Sequence, residues 1–353
     1  MKQINPVHSA MLKVEGLRKY FPVHRGFFQG VIGWIKAVDG VDFEISQGKT
    51  LGLVGESGCG KSTIGRLILK LLEPDEGRII FRGQDISGLA EEKMKPLRKE
   101  MQIIFQDPYG SLNPRMTVGQ SIEEGLRTVG VKGRSERQAQ VAHLLEMVRI
   151  RPDAAGLYPH QFSGGQRQRI GIARALSVHP TLIICDEPVS ALDVSIQSQI
   201  INLLKELQDT LGVSYLFISH DLNVVGYLSD AVAVMYLGHI MEYAPAEVLY
   251  DNPLHPYTLA LLAAMPAPDP DDRHQLPALV GDVPSPFNPP PGCKFQGRCP
   301  LVEDRCRKEE IKIYEVGDGH TVRCWKVIGE EIRTTGFRAT GPPSALDWQS
   351  GLR

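Results

Sequence analysis

The sequence has neither a long hydrophobic run nor a charge excess of either sign. Of its 353 residues, 39 are Lys or Arg and 41 are Asp or Glu, so the formal net charge is −2. Because nucleic-acid-binding surfaces are usually basic, no nucleic-acid partner is indicated. The longest apolar runs, Ala231–Leu237 and Leu259–Met265, fall far short of the roughly 18 residues that cross a bilayer. The N-terminal residues contain no continuous apolar stretch with a small-residue cleavage site, so we expect a cytosolic protein without a secretory signal.

Cysteine is also scarce, with six residues in the whole chain. Two of them, Cys59 and Cys185, lie inside motifs described below. The other four cluster near the C-terminus, at Cys293, Cys299, Cys306 and Cys324. Since cytosolic thiols stay reduced, this cluster favours a metal site over two disulfides.

Strand-like and helix-like segments alternate through roughly the first 250 residues. Residues 11–54 are rich in β-formers, and the apolar segments Leu182–Cys185 and Ser214–Ser219 are typical of buried strands in a parallel sheet. Helical periodicity marks residues 62–72, 135–150, 167–178 and 195–211. This alternation predicts an α/β fold with a sheet of the nucleotide-binding kind.

The composition changes after Met265. Nine of the 25 prolines fall between Pro266 and Pro291, which excludes a regular helix or central strand there. We expect a partly extended linker into a small cysteine-bearing module at about 292–328, followed by a polar tail.

One glycine-rich segment satisfies the phosphate-loop pattern G-x-x-x-x-G-K-S/T. It follows the strand-like run Thr50–Val54 and opens a helix, as the pattern requires. Glycines let backbone N–H groups turn toward phosphate oxygens, Lys61 would pair with the β- and γ-phosphates, and the Ser62 hydroxyl would ligate Mg²⁺. A chance glycine-rich turn is the alternative, which the strand, lysine and serine together disfavour. The predicted ATP-binding residues of this loop are Gly55, Glu56, Ser57, Gly58, Cys59, Gly60, Lys61, Ser62 and Thr63.

The apolar strand Leu182–Cys185 ends in two carboxylates, Asp186 and Glu187. A carboxylate at the C-terminal end of a parallel strand reaches the crevice where ligands bind. We therefore expect Asp186 to hold Mg²⁺, and Glu187 to orient and deprotonate an attacking water. The alternative is a solvated pair of charges at a strand end, which the upstream phosphate loop disfavours.

Four further segments, taken with these motifs, resemble the ATP-binding cassette (ABC) ATPases. They are the signature Phe162–Gln166, the D-loop Ser190–Asp193, the Q-loop glutamine Gln106 and the switch histidine His220. All of them stand in the family's order within about 11–250. The resemblance implies an ABC-type P-loop nucleotide-binding domain of the α/β class, with a RecA-like core, an antiparallel β subdomain and a helical subdomain at about 107–165.

In that family two cassettes bind head to tail and enclose two ATP molecules. The resemblance implies that the signature contacts the ATP held by the opposite chain, through Ser163, Gly164, Gly165 and Gln166. A hydroxyl and close backbone N–H groups at a helix start are suited to this contact. Ser190 and Asp193 match the D-loop.

The same resemblance assigns the catalytic roles. It implies that Glu187 is the general base, that Lys61 and His220 contact the γ-phosphate, and that Gln106 senses Mg²⁺ and the attacking water. An aromatic residue near the N-terminus stacks on adenine in this family. Phe21 matches that position best, and Tyr20 is the alternative.

Three segments and the cysteine module resemble the ATPase subunits of oligopeptide and dipeptide importers, in particular the second of two such subunits. The segments are Phe105–Pro114, Lys36–Val41 and Asn252–Thr258. The resemblance implies a peripheral protein at the cytoplasmic face of the membrane. Its partners would be a related ABC ATPase subunit, two permease subunits and, indirectly, an extracytoplasmic binding protein. Related systems carry nickel, glutathione or oligosaccharides, so the cargo stays open.

The resemblance also points to a 4Fe–4S cluster held by Cys293, Cys299, Cys306 and Cys324. Tetrahedral Zn²⁺ suits four cysteines equally, and free thiols are the third possibility. A module this small usually needs a metal or another staple, which is why we expect a metal there.

These observations predict an ABC ATPase domain over 11–250, an extension with the four-cysteine module over 251–328, and a tail over 329–353. A soluble ABC ATPase acting on nucleic acid or ribosomes is disfavoured, because the chain has one cassette, no inserted coiled coil and a near-neutral charge. A degenerate regulatory subunit is disfavoured by the intact Lys61, Glu187 and His220.

Overall fold

The computed structural model describes residues 10–25, 30–265, 281–317 and 319–329. The predicted tail beyond residue 329 and most of the predicted proline-rich linker lie outside these ranges. Within them, the strands in chain order are β1 (Ala10–Arg25), β2 (Gly30–Ser46), β3 (Thr50–Val54), β4 (Glu76–Phe81), β5 (Gln84–Asp85), β6 (Met101–Ile104), β7 (Leu182–Asp186), β8 (Ser214–Ser219), β9 (Ala231–Tyr236), β10 (His239–Pro245), β11 (Tyr314–Gly317) and β12 (His320–Val322).

The α-helices of the same ranges alternate with these strands. They are α1 (Lys61–Ile68), α2 (Glu91–Glu100), α3 (Pro108–Ser111), α4 (Val118–Thr128), α5 (Arg134–Met147), α6 (Gly164–Leu176), α7 (Val194–Leu211), α8 (Leu222–Leu228), α9 (Ala246–Asp251), α10 (Pro256–Ala263) and α11 (Asp304–Lys308). Short 3₁₀ turns occupy Pro152–Gly156, Pro159–Gln161 and Trp325–Gly329. No helix in the described part of the chain combines the length and the apolar character needed to cross a membrane.

Two sheets form the frame of the molecule. A four-stranded antiparallel sheet has the order β2-β1-β4-β5, and an eight-stranded sheet has the order β11-β12-β10-β9-β3-β8-β7-β6. In the larger sheet β9, β3, β8, β7 and β6 run parallel, while β10, β12 and β11 continue it in antiparallel fashion. The α/β class and the antiparallel β region are therefore confirmed.

The central strands are buried on both faces. Along β8, Tyr215 and Phe217 belong to one hydrophobic cluster, whereas Leu216 and Ile218 belong to the other. The first cluster includes side chains of α4–α8, and the second fills the space toward the antiparallel sheet and α1. A strand buried on both faces has no polar alternation, which is why Ser214–Ser219 was recognisable as a nearly continuous apolar run.

The predicted helices are present, with one informative shift. Residues 195–211 were predicted as a helix that the structure begins at Val194, and residues 167–178 as one that begins three residues earlier, at Gly164. The earlier start has a local cause: the Ser163 side chain accepts a hydrogen bond from the Gln166 N–H and so caps the helix at the signature itself.

The segment after residue 250 is attached to the cassette more closely than expected. Strand β12 pairs with β10, so that Val322 lies opposite Glu242 and Thr321 opposite Tyr243. Phe295 is fully buried, with its ring 5.5 Å from that of Tyr236. This region therefore shares the sheet and core of the cassette, and the expectation that it needs a metal or another staple stays a prediction.

Candidate functional site

The phosphate loop connects β3 to α1, and its glycines are required by close backbone approaches. A Cβ at Gly55 would lie 2.1 Å from the Met235 carbonyl oxygen, and one at Gly60 would lie 2.0 Å from the Ala37 carbonyl oxygen. Both glycines have positive φ, at 152° and 111°. Any side chain at these two positions would clash with backbone, so the loop shape depends on glycine.

Lys61 lies at the start of α1 with only 4% of its surface exposed. Its Nζ donates hydrogen bonds to the carbonyl oxygens of Gly55 at 2.7 Å and Glu56 at 3.1 Å. The ammonium group is thus held inside the curve of the loop. A charge held there by neutral carbonyls is available to the oxygens of a bound phosphate.

Ser62 and Asp186 meet although 124 residues separate them. The Ser62 Oγ donates to the Asp186 Oδ1 at 2.7 Å. Asp186 ends β7, and burial raises the pKa of its carboxyl above the ordinary value, while the hydrogen bond from Ser62 opposes that shift. A hydroxyl and a carboxylate oxygen side by side are hard ligands of the type that Mg²⁺ prefers, so these two residues fit the predicted magnesium site.

Glu187 is held at the centre of a second polar group. Its Oε2 accepts a hydrogen bond from the Gln106 Nε2 at 3.0 Å and lies 3.5 Å from the His220 Nδ1. Its backbone adopts φ 48°, which is uncommon for a residue other than glycine. Strained backbone of this kind persists at functional sites when the surroundings hold it. The carboxylate has the partners that a general base needs for orientation.

These side chains converge because they follow the ends of neighbouring parallel strands. The phosphate loop follows β3, Asp186 ends β7, His220 follows β8 and Gln106 follows β6 by two residues. Parallel strands place their carboxyl ends at one edge of the sheet. The arrangement brings together an anion-binding loop, two oxygen ligands suited to Mg²⁺ and a carboxylate base. These are the groups that the transfer of a phosphoryl group to water requires.

The signature residues lie at the start of another helix, α6, and bond mainly to each other. The Ser163 N–H donates to the Gln166 Oε1 at 3.0 Å, and the Gln166 N–H donates to the Ser163 Oγ at 3.4 Å. Both residues are exposed, whereas Gly165 is buried, and a Cβ on it would lie 2.4 Å from the Ile196 side chain. Gly164 is half-buried. Gly164 and Gly165 lie between Ser163 and Gln166 at the start of α6, where the helix dipole favours an anionic partner.

The D-loop residues lie between Glu187 and the helix α7. The Ser190 Oγ donates to the Glu187 carbonyl oxygen at 3.1 Å, and Asp193 immediately precedes α7.

The two candidate adenine-stacking residues lie near the N-terminus. The Tyr20 hydroxyl donates to the Asp39 Oδ1 at 2.6 Å, while Phe21 is half-buried with the Lys19 Nζ 5.7 Å from its ring centre.

The remaining loop residues differ in exposure. Ser57 and Gly58 are exposed, Glu56 and Thr63 are half-buried, and Cys59 is buried with its thiol 3.8 Å from the Lys61 Nζ. Burial raises the pKa of the Cys59 thiol.

The four C-terminal cysteines do not form a metal site in the described residues. Cys293 and Cys324 are buried, Cys299 and Cys306 are half-buried, and the Cys293 N–H donates to the Cys306 carbonyl oxygen at 2.8 Å. Burial raises the pKa of the Cys293 thiol to about 11 and that of Cys324 to about 12. Among the residues described, no group of three or more His, Cys, Asp or Glu is arranged to hold a metal ion. The predicted 4Fe–4S cluster and its zinc alternative therefore lack support.

Two residues that sequence reasoning missed touch the phosphate loop from the C-terminal region. Arg298 forms an ion pair with Glu56, and the Tyr257 hydroxyl accepts the Glu56 N–H at 3.0 Å. They lie 242 and 201 residues away along the chain, and no local pattern signals either contact.

Comparison with known proteins gives two family matches. Residues 38–190 match the family described as ABC transporter, and residues 241–306 match the oligopeptide/dipeptide transporter C-terminal region. The oligopeptide transport ATP-binding protein AppF of Bacillus subtilis (strain 168) is 53% identical over 317 residues, covering 89% of this chain and 96% of AppF. The probable peptide ABC transporter ATP-binding protein y4tS of Sinorhizobium fredii is 49% identical over 96% of this chain and 94% of its own length.

Solved structures show the same cassette. The dimeric post-hydrolysis state of the ATP-binding cassette MJ0796 bound to ADP and Pi matches with a TM-score of 0.60 and 28% identity, over 67% of this chain and 99% of that one. The structure of cbiO1 from Clostridium perfringens matches with a TM-score of 0.59 and 29% identity, over 68% of this chain and 90% of that one. Together with the geometry above, these matches show that the chain belongs to the ABC transporter family, as an ATP-hydrolysing subunit of the oligopeptide/dipeptide transporter type.

Proposed function

We propose that this chain hydrolyses ATP as half of a cassette dimer and thereby powers peptide uptake through a membrane permease. The observation that carries the proposal is the meeting of Ser62 with Asp186 and of Gln106 with Glu187 at one edge of the parallel sheet. The proposal assigns the ABC ATPase domain to about 11–250, with its helical subdomain at about 107–165, and the transporter-type extension to 251–328.

The phosphate loop binds the triphosphate in this account. Its backbone N–H groups and the start of α1 face the β- and γ-phosphates, and Lys61 neutralises charge that develops on the γ-phosphoryl oxygens. Ser62, Asp186 and Gln106 are the residues that would hold a magnesium ion, which would supply charge neutralisation on the phosphate oxygens. Phe21, which is half-buried, stacks on adenine in this proposal, and Tyr20 is the alternative.

Glu187 acts as the general base. It accepts a proton from the water that attacks the γ-phosphate, while the Gln106 amide fixes the orientation of the carboxylate. His220, with its side chain 57% exposed, contacts the γ-phosphate and stabilises the closed arrangement.

The signature completes the site of the opposite chain. Ser163, Gly164, Gly165 and Gln166 contact the γ-phosphate bound to the partner, and Ser190 and Asp193 lie at the contact between cassettes. The support is that the signature is exposed at a helix start, and that the related MJ0796 cassette is dimeric in its ADP- and Pi-bound state. The partner in this proposal is a related ABC ATPase subunit.

Peptide transport is supported by the relatives. AppF is an oligopeptide transport ATP-binding protein, and y4tS is described as a probable peptide ABC transporter ATP-binding protein. The proposal places this chain at the cytoplasmic face, bound to two permease subunits that receive cargo from an extracytoplasmic binding protein. Which peptide, or which related cargo, the system carries is a property of those partners. With a formal net charge of −2, the chain offers no basic excess for nucleic acid.

The four-cysteine metal site is not part of this proposal. It stays a prediction from the resemblance, because the described cysteines show no ligand arrangement. The mechanism above uses none of them.

The function is tested by purifying the tagged chain with its natural partners from detergent-solubilised membranes. We expect two permease subunits and a second cassette to co-purify, and we expect a peptide-loaded binding protein to stimulate ATP hydrolysis by the complex. The purified chain in the absence of membranes is the control for unspecific capture. Co-purification with ribosomes or RNA in place of permeases would contradict the proposal.

A further inference from the structure

The C-terminal extension reaches the nucleotide site through one arginine. The Arg298 Nη1 lies 2.7 Å from the Glu56 Oε2, and the Nη2 lies 3.1 Å from the Glu56 Oε1. This is the bidentate geometry in which a guanidinium group and a carboxylate bind most specifically. Glu56 is the second residue of the phosphate loop, so the contact joins a segment beyond residue 290 to the loop that receives the triphosphate.

Burial distinguishes this ion pair from the surface pairs of the molecule. The Arg298 side chain is 6% exposed and the Glu56 side chain 25% exposed. In the pair of Arg149 with Glu206, a single nitrogen, Nη2, donates to both carboxylate oxygens at 2.6 and 2.7 Å, and the two side chains are 50% and 58% exposed. Exposed pairs contribute little, whereas removing one partner of a buried pair leaves an uncompensated charge.

The main chain of Glu56 is held from the same side. Its N–H donates to the Tyr257 hydroxyl at 3.0 Å, and its carbonyl oxygen accepts a hydrogen bond from the Lys61 Nζ at 3.1 Å. Tyr257 is fully buried, and its ring centre lies 5.2 Å from that of Phe295. Glu56 therefore connects the phosphate-binding lysine to residues of the extension.

Arg298 is itself fixed to this buried aromatic group. Its main-chain N–H donates to the Phe295 carbonyl oxygen at 3.0 Å, and Phe295 is fully buried. The guanidinium group thus approaches Glu56 from a rigid base. A rigid donor restrains its partner more effectively than a flexible surface side chain does.

We infer that Arg298 is a positioning residue of the nucleotide site, which fixes the phosphate loop through Glu56 and neutralises a carboxylate that would otherwise repel the triphosphate. The inference rests on the proposed function, since it concerns ATP bound to the same loop. It makes the extension a working part of the ATP site, in addition to any role that the extension has toward partners.

The test is a double-mutant cycle in the full-length protein, with wild type, Arg298→Gln, Glu56→Gln and the double variant, and with the dissociation constant for ATP and the steady-state kcat and KM as readouts. Arg298→Gln leaves Glu56 unpaired, so we expect ATP binding to weaken roughly tenfold or more, the size that loss of a charged hydrogen bond gives. We expect KM to rise by a similar factor and kcat to change less. The double variant Glu56→Gln with Arg298→Gln removes both charges, so most of the affinity should return. Arg149→Gln, which breaks the exposed pair, is the matched control and should bind ATP as the wild type does.

Several outcomes would overturn the inference. Arg298→Gln with the affinity of Arg149→Gln would show that the pair does not act on ATP. Additive losses in the double variant would show a structural effect without charge coupling. Should Arg298→Gln fail to fold, Arg298→Lys, which keeps the positive charge but not the bidentate geometry, is compared with the wild type; a modestly higher dissociation constant for ATP is expected, and wild-type binding contradicts the inference. A wild-type chain that does not hydrolyse ATP with its partners would instead refute the proposed function.

Discussion

The phosphate loop and the signature segment differ in where their polar groups find partners. In the loop, Lys61 is bonded to two carbonyl oxygens and Ser62 to Asp186, and Glu56 is held from the extension. In the signature, Ser163 and Gln166 bond to each other at an exposed helix start. Both regions are ordered by contacts within the chain, but the loop is held by distant segments, whereas the signature is an exposed helix start held only by local contacts among these residues.

This difference bears on how the enzyme is regulated. In the proposed dimer the two halves of each ATP site lie on different chains, so we expect hydrolysis to depend on closure of the dimer. The loop half is preorganised, which reduces the cost of binding ATP before closure. The exposed signature is the part that the proposal assigns to the ATP site of the partner.

The largest expected effect comes from the base. Glu187→Gln keeps the shape of the side chain and removes its ability to accept a proton, so turnover should fall by roughly 10²–10⁴-fold while ATP binding remains. Because hydrolysis is then slow, ATP should hold two cassettes together through the signature. Phosphate release and size-exclusion chromatography in ATP and in ADP measure the two consequences.

The control for this variant is Glu206→Gln on the exposed face of α7, where the carboxylate is 58% exposed and pairs with Arg149. It should leave turnover and association unchanged. Near-normal turnover in Glu187→Gln would remove Glu187 from the role of base. A Glu187→Gln chain that stays monomeric with ATP bound, in the presence of its partner cassette, would contradict the proposed contact of the signature with ATP on the other chain.

A smaller effect is expected from low pH on the stability of the protein, through the buried His255. Burial lowers the pKa of His255 to about 4, with the Glu242 carboxylate opposing the shift. The unfolded chain, with an ordinary value of 6.5, then binds the proton more tightly than the folded protein. The free energy of unfolding should therefore decrease as pH falls from about 6.5 to about 4, by up to about 3 kcal/mol from this residue.

Thermal unfolding of the wild type and His255→Asn across this pH range tests the effect. Asn keeps an acceptor for the Tyr257 N–H, which the His255 Nδ1 accepts at 3.0 Å, and it removes the titration. The variant should lose less stability toward low pH. His143→Asn, at an exposed position of α5, is the control and should follow the wild type. Parallel curves for wild type and His255→Asn would show that His255 does not carry this pH dependence.

Much of the cassette was predictable from sequence because its signals are local. The glycines and Lys61 of the loop and the apolar strand before Asp186 each reflect a constraint within a few residues. The prediction of a parallel sheet followed from strands such as Ser214–Ser219, whose buried faces leave no polar alternation.

The extension was predicted less well because its constraints are long-range. The pairing of β12 with β10, the burial of Phe295 and the contact of Arg298 with Glu56 join segments tens to hundreds of residues apart. Proline density and cysteine count indicated a separate module, yet neither reports which surface the segment packs on. The metal site expected there stays a prediction, since residue identity alone does not fix ligand geometry and no ligand group is arranged among the described residues.

A mixing experiment tests the composite site most directly. Chains with Lys61→Ala, which impairs the phosphate loop, are mixed with chains carrying Ser163→Arg, which obstructs the signature. Each variant alone should be inactive, but a mixed dimer contains one site with two native halves. We predict that an equal mixture recovers about a quarter of wild-type turnover, since half of the dimers are mixed and each has one complete site. If the active partner is a related cassette, the signature substitution is placed in that chain and the Lys61→Ala substitution in this one. That pairing puts both changes in the same site, so the other site should keep its turnover.

Two results would contradict the account, because each would mean that a chain encloses its own ATP. One is no recovery of turnover in the mixture, and the other is equal loss of turnover from both sites of the pair.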